Sequence, residues 1–154
     1  MRIMMFSHGY PPTISGVTLV VQKIARAMVM RGHSVTVVTA SEKNLPYKTQ
    51  DQGVQLERIL GLPNPFWWEG PVPIITPGNI QKLVDQFKPD IIHTHDNGYQ
   101  GVVLPLVKLQ TSPKMITSCY TLPSFFTQFT RLFRLEKITE ALIWKYYLRN
   151  LNRY

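Results

Sequence analysis

The pattern of hydrophobic and polar positions over the first forty residues predicts a strand, a loop, a helix and a second strand. A short apolar run at 2–8 precedes a loop, 9–16, that is rich in glycine and proline. From 17 to 31 the apolar residues recur at the spacing of one helical face, and Gly32 supplies a left-handed stop. Residues 34–40 are rich in β-branched side chains, which is typical of a strand.

The rest of the chain continues this alternation. The segment 41–52 is polar and predicts no regular structure, and 61–77 predicts a long ordered loop around the aromatic run 66–68. Thr76 and Pro77 indicate an N-cap and the first residue of a helix. The remaining predicted elements are strands at 54–60, 90–95 and 114–119 and helices at 77–87, 98–109 and 135–152. Strands alternating with helices predict an α/β fold, a Rossmann-like doubly wound parallel sheet with helices on both faces.

Composition limits the chain to one globular domain. Its 154 residues are 44% hydrophobic and 17% charged, which is enough apolar material for a packed core. Cys119 is the single cysteine, so an internal disulfide is excluded and a reduced, cytoplasmic compartment is expected. The apolar run after Arg2 is too short for a secretory signal, and no stretch approaches the ~20 apolar residues of a membrane span. We therefore expect a soluble or peripheral protein.

Charge is concentrated near the carboxyl terminus. The chain carries 17 basic against 9 acidic residues, a net charge of +8. The last thirty residues hold six bases, among them Arg131, Arg134 and Lys137, and two acids. A packed helix with solvated bases explains the apolar stripe of this segment but not its excess of charge. A surface for anionic lipid or nucleic acid is the alternative.

Ligand sites of such sheets lie at the carboxyl ends of the strands. Ser15 and Gly16 stand just before the first predicted helix, where backbone N–H groups and the helix dipole favour an anion. A serine there also caps a helix, and the sequence leaves both interpretations open. The loop lacks the Gly-x-Gly-x-x-Gly and P-loop patterns, which disfavours dinucleotide and P-loop chemistry.

Two histidines end the fourth predicted strand. His93 and His95 are two positions apart, so their side chains point to the same face. Asp96 is the one nearby third ligand, and one packed histidine beside one polar strand-end residue explains the pair better than a metal does. We expect no metal site, and His95, nearer the sheet edge, is the better candidate for a binding site. No Ser/His/Asp triad, paired carboxylates or zinc spacing can be assembled.

Four motifs in this order resemble the group 1, or family 4, glycosyltransferases. They are Ser-His-Gly-Tyr-Pro-Pro-x-x-x-Gly-Val at 7–17, Arg-Gly-His-x-Val-Thr-Val-Val-Thr at 31–39, Lys-Pro-Asp-Ile-Ile-His-x-His at 88–95 and Thr-Ser-Cys-Tyr-Thr at 117–121. The resemblance covers essentially the whole chain. It implies one half of a GT-B fold, a nucleotide-sugar donor, hexosyl transfer with retention at the anomeric carbon, and no metal or other cofactor.

The resemblance also assigns roles to single residues. Ser15 and Gly16 match the loop that approaches the donor diphosphate, and His95 matches the strand-end histidine of the family. Tyr10, Pro11 and Pro12 would flank the acceptor. Tyr120 stands where the family has a histidine near the donor sugar, and a phenol does not take a positive charge near neutral pH as an imidazole does.

The resemblance makes residues 1–154 the amino-terminal, acceptor-side domain. The family's second domain, which binds most of the donor and carries a Glu-x7-Glu motif, would follow Tyr154, so we expect the chain alone to be inactive. The basic tail, Arg131, Arg134 and Lys137, fits an anionic membrane surface and a lipid acceptor rather than nucleic acid, at the inner face of the membrane. The alternative is a non-catalytic binding module that retains the fold, which a stop codon after Tyr154 would favour.

Overall fold

A computed structural model describes residues 1–63, 70–95, 113–120 and 141 of the chain. The described elements, in chain order, are β1 (Arg2–Phe6), α1 (Gly16–Met30), β2 (Ser34–Ala40), β3 (Tyr47–Asp51), β4 (Val54–Ile59), β5 (Gly61–Leu62), β6 (Val72–Pro73), α2 (Pro77–Phe87), β7 (Ile91–Thr94) and β8 (Lys114–Thr117). The predicted helices at 98–109 and 135–152 lie outside the described residues. So does the aromatic run 66–68.

Six of these strands form one mostly parallel sheet in the order β3-β4-β2-β1-β7-β8. Strand β1 lies at its centre, and each of its residues from Ile3 to Phe6 has a neighbour on both β2 and β7. Every pairing is parallel except that of β3 with β4. The predicted α/β class with a mostly parallel, Rossmann-like sheet is therefore confirmed.

Strand β3 corrects one prediction, because the segment 41–52 was expected to be irregular. Residues Tyr47–Asp51 pair antiparallel with β4 at the edge of the sheet. Gln52 and Gly53, with φ of 47° and 87°, make the tight turn between the two strands. The strand is polar because most of its side chains are exposed at the edge, so it lacks the apolar alternation by which a half-buried strand is recognised.

Both faces of the sheet are buried at its centre. Along β1, Met4 and Phe6 pack in one hydrophobic cluster with Ile80 and Val84 of α2. Ile3 and Met5 point the other way, into a second cluster that includes residues of α1. Successive side chains of a central strand thus bury on opposite sides, which explains its continuous apolar run and places one helix on each face.

The predicted helix ends are confirmed. Thr76 caps α2, where its Oγ1 accepts the Asn79 N–H at 3.2 Å, and Pro77 is the first helical residue. Lys88 ends α2 in the left-handed region with φ of 49°, and Pro89 follows. Helix α1 ends at Met30, and Gly32 has a φ of 80°. These ends set where the chain re-enters the sheet.

A small hairpin lies within the segment that was predicted as a loop. Gly61 pairs with Pro73 and Leu62 with Val72 in an antiparallel two-stranded sheet, β5 and β6. Its short strands form a sheet that is not hydrogen-bonded into the main one, and proline, which cannot donate to a ladder, suits such a short hairpin. Within the described ranges, no helix has the length and apolar character needed to cross a membrane.

Candidate functional site at the carboxyl edge of the sheet

Three segments meet at the carboxyl edge of the parallel strands. The loop that follows β1 begins at Ser7, whose N–H donates to the Val38 carbonyl of β2 at 3.1 Å. After β7, the His95 N–H donates to the Phe6 carbonyl at 2.8 Å, and after β8 the Ser118 N–H donates to the Thr94 carbonyl at 2.8 Å. The backbone therefore holds the loop, His95 and the segment 118–120 side by side at the edge where such folds bind ligands.

Ser15 acts as the N-cap of α1. Its hydroxyl accepts the Thr18 N–H at 3.3 Å, and the Thr18 hydroxyl accepts the Ser15 N–H at 2.8 Å, which completes a capping box. Gly16 is exposed, and a Cβ added there would meet no atom within 4 Å. The cap interpretation of Ser15 is confirmed. The role of Ser15 and Gly16 toward a diphosphate stays a prediction, and Gly16 leaves open space for one.

Tyr10 has a different environment from the one expected of an acceptor contact. Its side chain is only 1% exposed, and its hydroxyl donates to Asp51 Oδ2 at 2.6 Å. Burial, followed by the hydrogen bond to Asp51, raises the pKa of the phenol above its ordinary value. The ring packs in the core, so of the three residues predicted to flank the acceptor only Pro11, half-buried, and Pro12, exposed, offer side-chain surface.

Asp51, at the end of β3, joins the loop to α1. It accepts hydrogen bonds from Gln22 at 3.1 Å and from both Nε and Nη2 of Arg26, at 3.0 and 2.6 Å, in addition to the Tyr10 hydroxyl. The Arg26 bonds, outweighing burial and aided by Tyr10 and Gln22, lower the pKa of the Asp51 carboxyl to about 2. This carboxylate is therefore ionised at neutral pH and holds Tyr10 in place.

Each histidine at the end of β7 contacts a hydroxyl of the segment after β8. His93 Nε2 lies 2.8 Å from Ser118 Oγ, and His95 Nδ1 lies 3.0 Å from the Tyr120 hydroxyl. The two imidazoles also contact each other, with ring centroids 3.8 Å apart. Burial lowers the pKa of His93 below its ordinary value, which favours its neutral form. The histidines thus fix the segment that carries Tyr120.

Among the contacting side chains of His93, His95, Ser118 and Tyr120, Tyr120 is the exposed one. His95 is completely buried, whereas Tyr120 is 41% exposed and stacks its ring nearly parallel to the imidazole, 6.1 Å between centroids. A hydroxyl held in this way can exchange hydrogen bonds with a sugar or another polyol at the edge. Tyr120 lies beyond the carboxyl end of β8, as the predicted strand at 114–119 implies. From the topology we also predict that it faces the Ser15–Gly16 loop.

Other candidate residues lie outside the described parts of the chain. These are Asp96 and the basic residues Arg131, Arg134 and Lys137. Within residues 1–63, 70–95 and 113–120, no group of three His, Cys, Asp or Glu side chains could hold a metal ion.

Sequence reasoning missed Asp51 and Arg58. Asp51 falls in the segment that was predicted to be irregular, so no signal drew attention to it. Arg58 did carry a signal, because it is in phase with Val54 and Leu56, the buried positions of β4. A charged residue at a buried strand position needs partners, and those of Arg58 include the Tyr10 and Pro11 carbonyls.

Comparison with known proteins agrees with this geometry. A chain of the solved structure "Sucrose-phosphate synthase (tll1590) from Thermosynechococcus elongatus" superposes with a TM-score of 0.65 at 15% identity, over 92% of this chain and 39% of that one. The chain thus spans well under half the length of this structural neighbour, and at this identity the likeness shows the fold. Comparison with curated proteins finds no match. Residues 14–154 match the family model Glycosyltransferase Family 4, and the chain therefore belongs to this family, whose fold is GT-B.

Proposed function

We propose that this chain forms the acceptor side of a retaining glycosyltransferase that moves a hexosyl group from a nucleotide sugar to an acceptor. The family match over residues 14–154 carries the proposal. The geometry supports it, because the loop 7–15, His95 and Tyr120 come together at the carboxyl edge of one sheet. In a GT-B enzyme that edge faces the second domain across the cleft.

The amino-terminal end of α1 is a suitable binding position for the donor diphosphate. The N–H groups of the first helical turn point out of the helix, and the helix dipole favours negative charge there. Because Ser15 and Thr18 already cap each other, the exposed Gly16 is the position at which a phosphate oxygen could approach the backbone. Pro11 and Pro12, on the same loop, lie where the acceptor would pass.

A non-catalytic binding module is the second candidate function. One observation favours it: Tyr120 stands where the family has a histidine, and the phenol hydroxyl contacts His95. A phenol lacks the basic ring nitrogen with which an imidazole can act as a proton acceptor in catalysis. Both candidates use the same edge of the sheet, so they differ in turnover rather than in the place of binding.

The test of the proposed function follows the histidine ring protons by NMR while nucleotide sugars, such as UDP-glucose and GDP-mannose, and candidate acceptors are added. The chain has only four histidines, which makes assignment practical. We expect the resonances of His93 and His95 to shift, with weak affinity because the donor half of the cleft is not in these 154 residues. His33 lies just before β2, at the opposite edge, and serves as the internal control. If no sugar compound moves His93 or His95, the proposed function is wrong.

Residues 1–154 by themselves should show no glycosyl transfer, because half a cleft cannot orient two substrates. The same nucleotide sugars and acceptors are incubated with the wild-type chain and with Gly16→Trp. The added Cβ has space, so the indole should block the loop without unfolding the helix. Turnover by the wild-type chain above that of the Gly16→Trp variant would contradict this prediction. It would also rule out the second candidate function, a non-catalytic binding module.

Tyr120→Phe should weaken binding of the sugar probe by about tenfold, because it removes one hydroxyl that can bond a polar ligand. It should change the unfolding free energy by no more than about 1 kcal/mol, since the side chain is 41% exposed. Tyr120→His should retain binding, as the family carries histidine there. Both variants are measured by the NMR titration and by urea unfolding. Tighter or equal binding by Tyr120→Phe would show that the Tyr120 hydroxyl does not contact the sugar.

A further inference from the structure

Arg58 is a buried cation whose partners are mostly backbone carbonyls. It is the penultimate residue of β4, opposite Thr39 of β2, and is only 3% exposed. Its Nη1 donates to the carbonyls of Tyr10 and Ala40, each at 3.4 Å, and its Nη2 donates to the Pro11 carbonyl. Two of these three acceptors belong to the loop after β1, not to the strands beside Arg58.

That loop has few internal means of fixing its shape. Tyr10 to Thr13 forms a turn in which the Thr13 N–H donates to the Tyr10 carbonyl at 3.2 Å. Pro11 and Pro12, between them, have no N–H to donate. The Tyr10 carbonyl thus has one donor within the loop, and the forked guanidinium of Arg58 donates from outside the loop to both the Tyr10 and the Pro11 carbonyls.

The charge of Arg58 is balanced within the same cluster. Glu42 Oε2 lies 3.3 Å from Arg58 Nη1, and the Tyr47 hydroxyl donates to the other Glu42 oxygen. Burial acts to raise the pKa of Glu42, but the Tyr47 bond, a backbone hydrogen bond and then the Arg58 charge outweigh it and lower the pKa. The rings of Tyr10 and Tyr47 each lie 5.9 Å from the guanidinium carbon. The cation is therefore held by β2, β3 and the loop together.

A buried ion pair is weak evidence of a stabilising role. Replacing such a pair with apolar side chains of similar volume is often neutral, since desolvation offsets the attraction. The contacts of Arg58 make better sense as a means of fixing one loop conformation. The same loop carries Ser15 and Gly16 two and three residues beyond the turn, so its shape sets where the first backbone N–H groups of α1 lie.

We propose that Arg58 is a positioning residue, which fixes the turn Tyr10–Thr13 and through it places the Ser15–Gly16 backbone for the donor diphosphate and the acceptor. Its action on substrate rests on the proposed function; its action on the turn does not. Arg58 touches neither substrate by this proposal. It acts through the Tyr10 and Pro11 carbonyls, with Glu42 and Tyr47 holding its charge in place.

The first experiment measures amide hydrogen exchange by NMR in the wild-type chain, Arg58→Met and Arg58→Lys. We expect exchange of the Thr13 amide to rise about tenfold or more in Arg58→Met, while amides of β2 and β7 keep their protection. Arg58→Lys should lie between, because an ammonium cannot fork to both carbonyls. Arg2→Met, the same substitution in an exposed ion pair at the opposite edge, should leave Thr13 unchanged. If Arg58→Met unfolds, Arg58→Met with Glu42→Gln removes the unpaired carboxylate and repeats the test.

Unchanged exchange at the Thr13 amide would overturn the proposed role of Arg58 in the turn. An equal rise in exchange throughout the sheet would also overturn it, because Arg58 would then have a structural role only. A second experiment titrates the same variants with UDP-glucose, followed at His95. An about tenfold rise in Kd for Arg58→Met, partly restored in Arg58→Lys, supports positioning of the binding loop. An equal Kd overturns the substrate part of the proposal. If the wild-type chain binds no sugar probe, the proposed function fails, and the exchange data still decide the role of Arg58 in the turn.

Discussion

Asp51→Ala should lower the free energy of unfolding by about 3 kcal/mol, since it removes a largely buried carboxylate that accepts charge-assisted hydrogen bonds and leaves the buried Tyr10 hydroxyl without its acceptor. The loss should be visible in urea unfolding as a lower midpoint with an unchanged slope. The variant removes the side-chain hydrogen bonds that join β3 to α1 and to the loop after β1, because Asp51 accepts all of them.

Asp85→Ala is the matched control. Asp85 accepts one hydrogen bond, from Gln81 one turn earlier on α2, at 2.8 Å. Such a helix-surface pair contributes about 0.2 to 0.5 kcal/mol, so this substitution should cost far less. Equal losses for the two variants would show that the Asp51 cluster does not join these elements.

The Asp51 contribution should depend on pH in a defined direction. Its folded pKa is held at about 2, below the value of about 3.9 for an unfolded chain. The stabilisation is therefore fully present above the unfolded pKa and is lost as the pH falls through the folded pKa. The stability difference between wild type and Asp51→Ala should accordingly shrink between about pH 4 and pH 2. A difference that stays constant across this range would rule out the ionised carboxylate as its cause.

Replacing Arg131, Arg134 and Lys137 with glutamate should greatly weaken binding to anionic vesicles. We propose that this basic segment holds the domain to the inner face of a membrane that contains its lipid acceptor. Each base near an anionic surface contributes about 1 kcal/mol at moderate salt. Losing three of them should therefore weaken binding by at least about a hundredfold. Sedimentation with vesicles of phosphatidylcholine, alone or mixed with phosphatidylglycerol, measures the effect.

The control for this variant reverses three exposed lysines elsewhere. Lys23, Lys82 and Lys114, replaced with glutamate, change the net charge by the same amount on the described part of the chain. We expect this control to bind nearly as well as wild type. Equal weakening of vesicle binding in both variants would indicate that binding depends on net charge and not on a particular membrane-facing segment. Equal binding of wild type to neutral and anionic vesicles would contradict the membrane proposal altogether.

Local sequence signals were sufficient to predict the helices and strands that bury one face or that begin with a capping residue. The apolar spacing of 17–31 and the Thr76-Pro77 start gave helices α1 and α2 nearly to the residue. The apolar runs of β1 and β2 predicted central strands, and both are buried on the two sides. These signals succeed because helix periodicity, caps and proline act over a few residues, within which the sequence itself holds the information.

The edge strand β3 could not be predicted in this way. Its residues alternate neither in hydrophobicity nor in burial, because an edge strand is held by its neighbour's backbone, not by a core. The aromatic ring of Tyr10 illustrates the same limit at a single position. A tyrosine in a proline-containing loop suggests a ligand contact, yet its burial depends on Asp51, which lies 41 residues away.

By itself the sequence determined the family, the mostly parallel α/β sheet and the candidate positions Ser15, Gly16 and His95 near its carboxyl edge, because motif order and element periodicity are local properties. The tertiary structure alone decided that Arg58 holds the loop carbonyls and that His95 contacts the Tyr120 hydroxyl. It also decided that Ser118 contacts His93, on the neighbouring strand. The partners in these contacts are 25 to 48 residues apart along the chain. Such contacts exist only once parallel strands have set side chains next to each other, and no local pattern encodes that register.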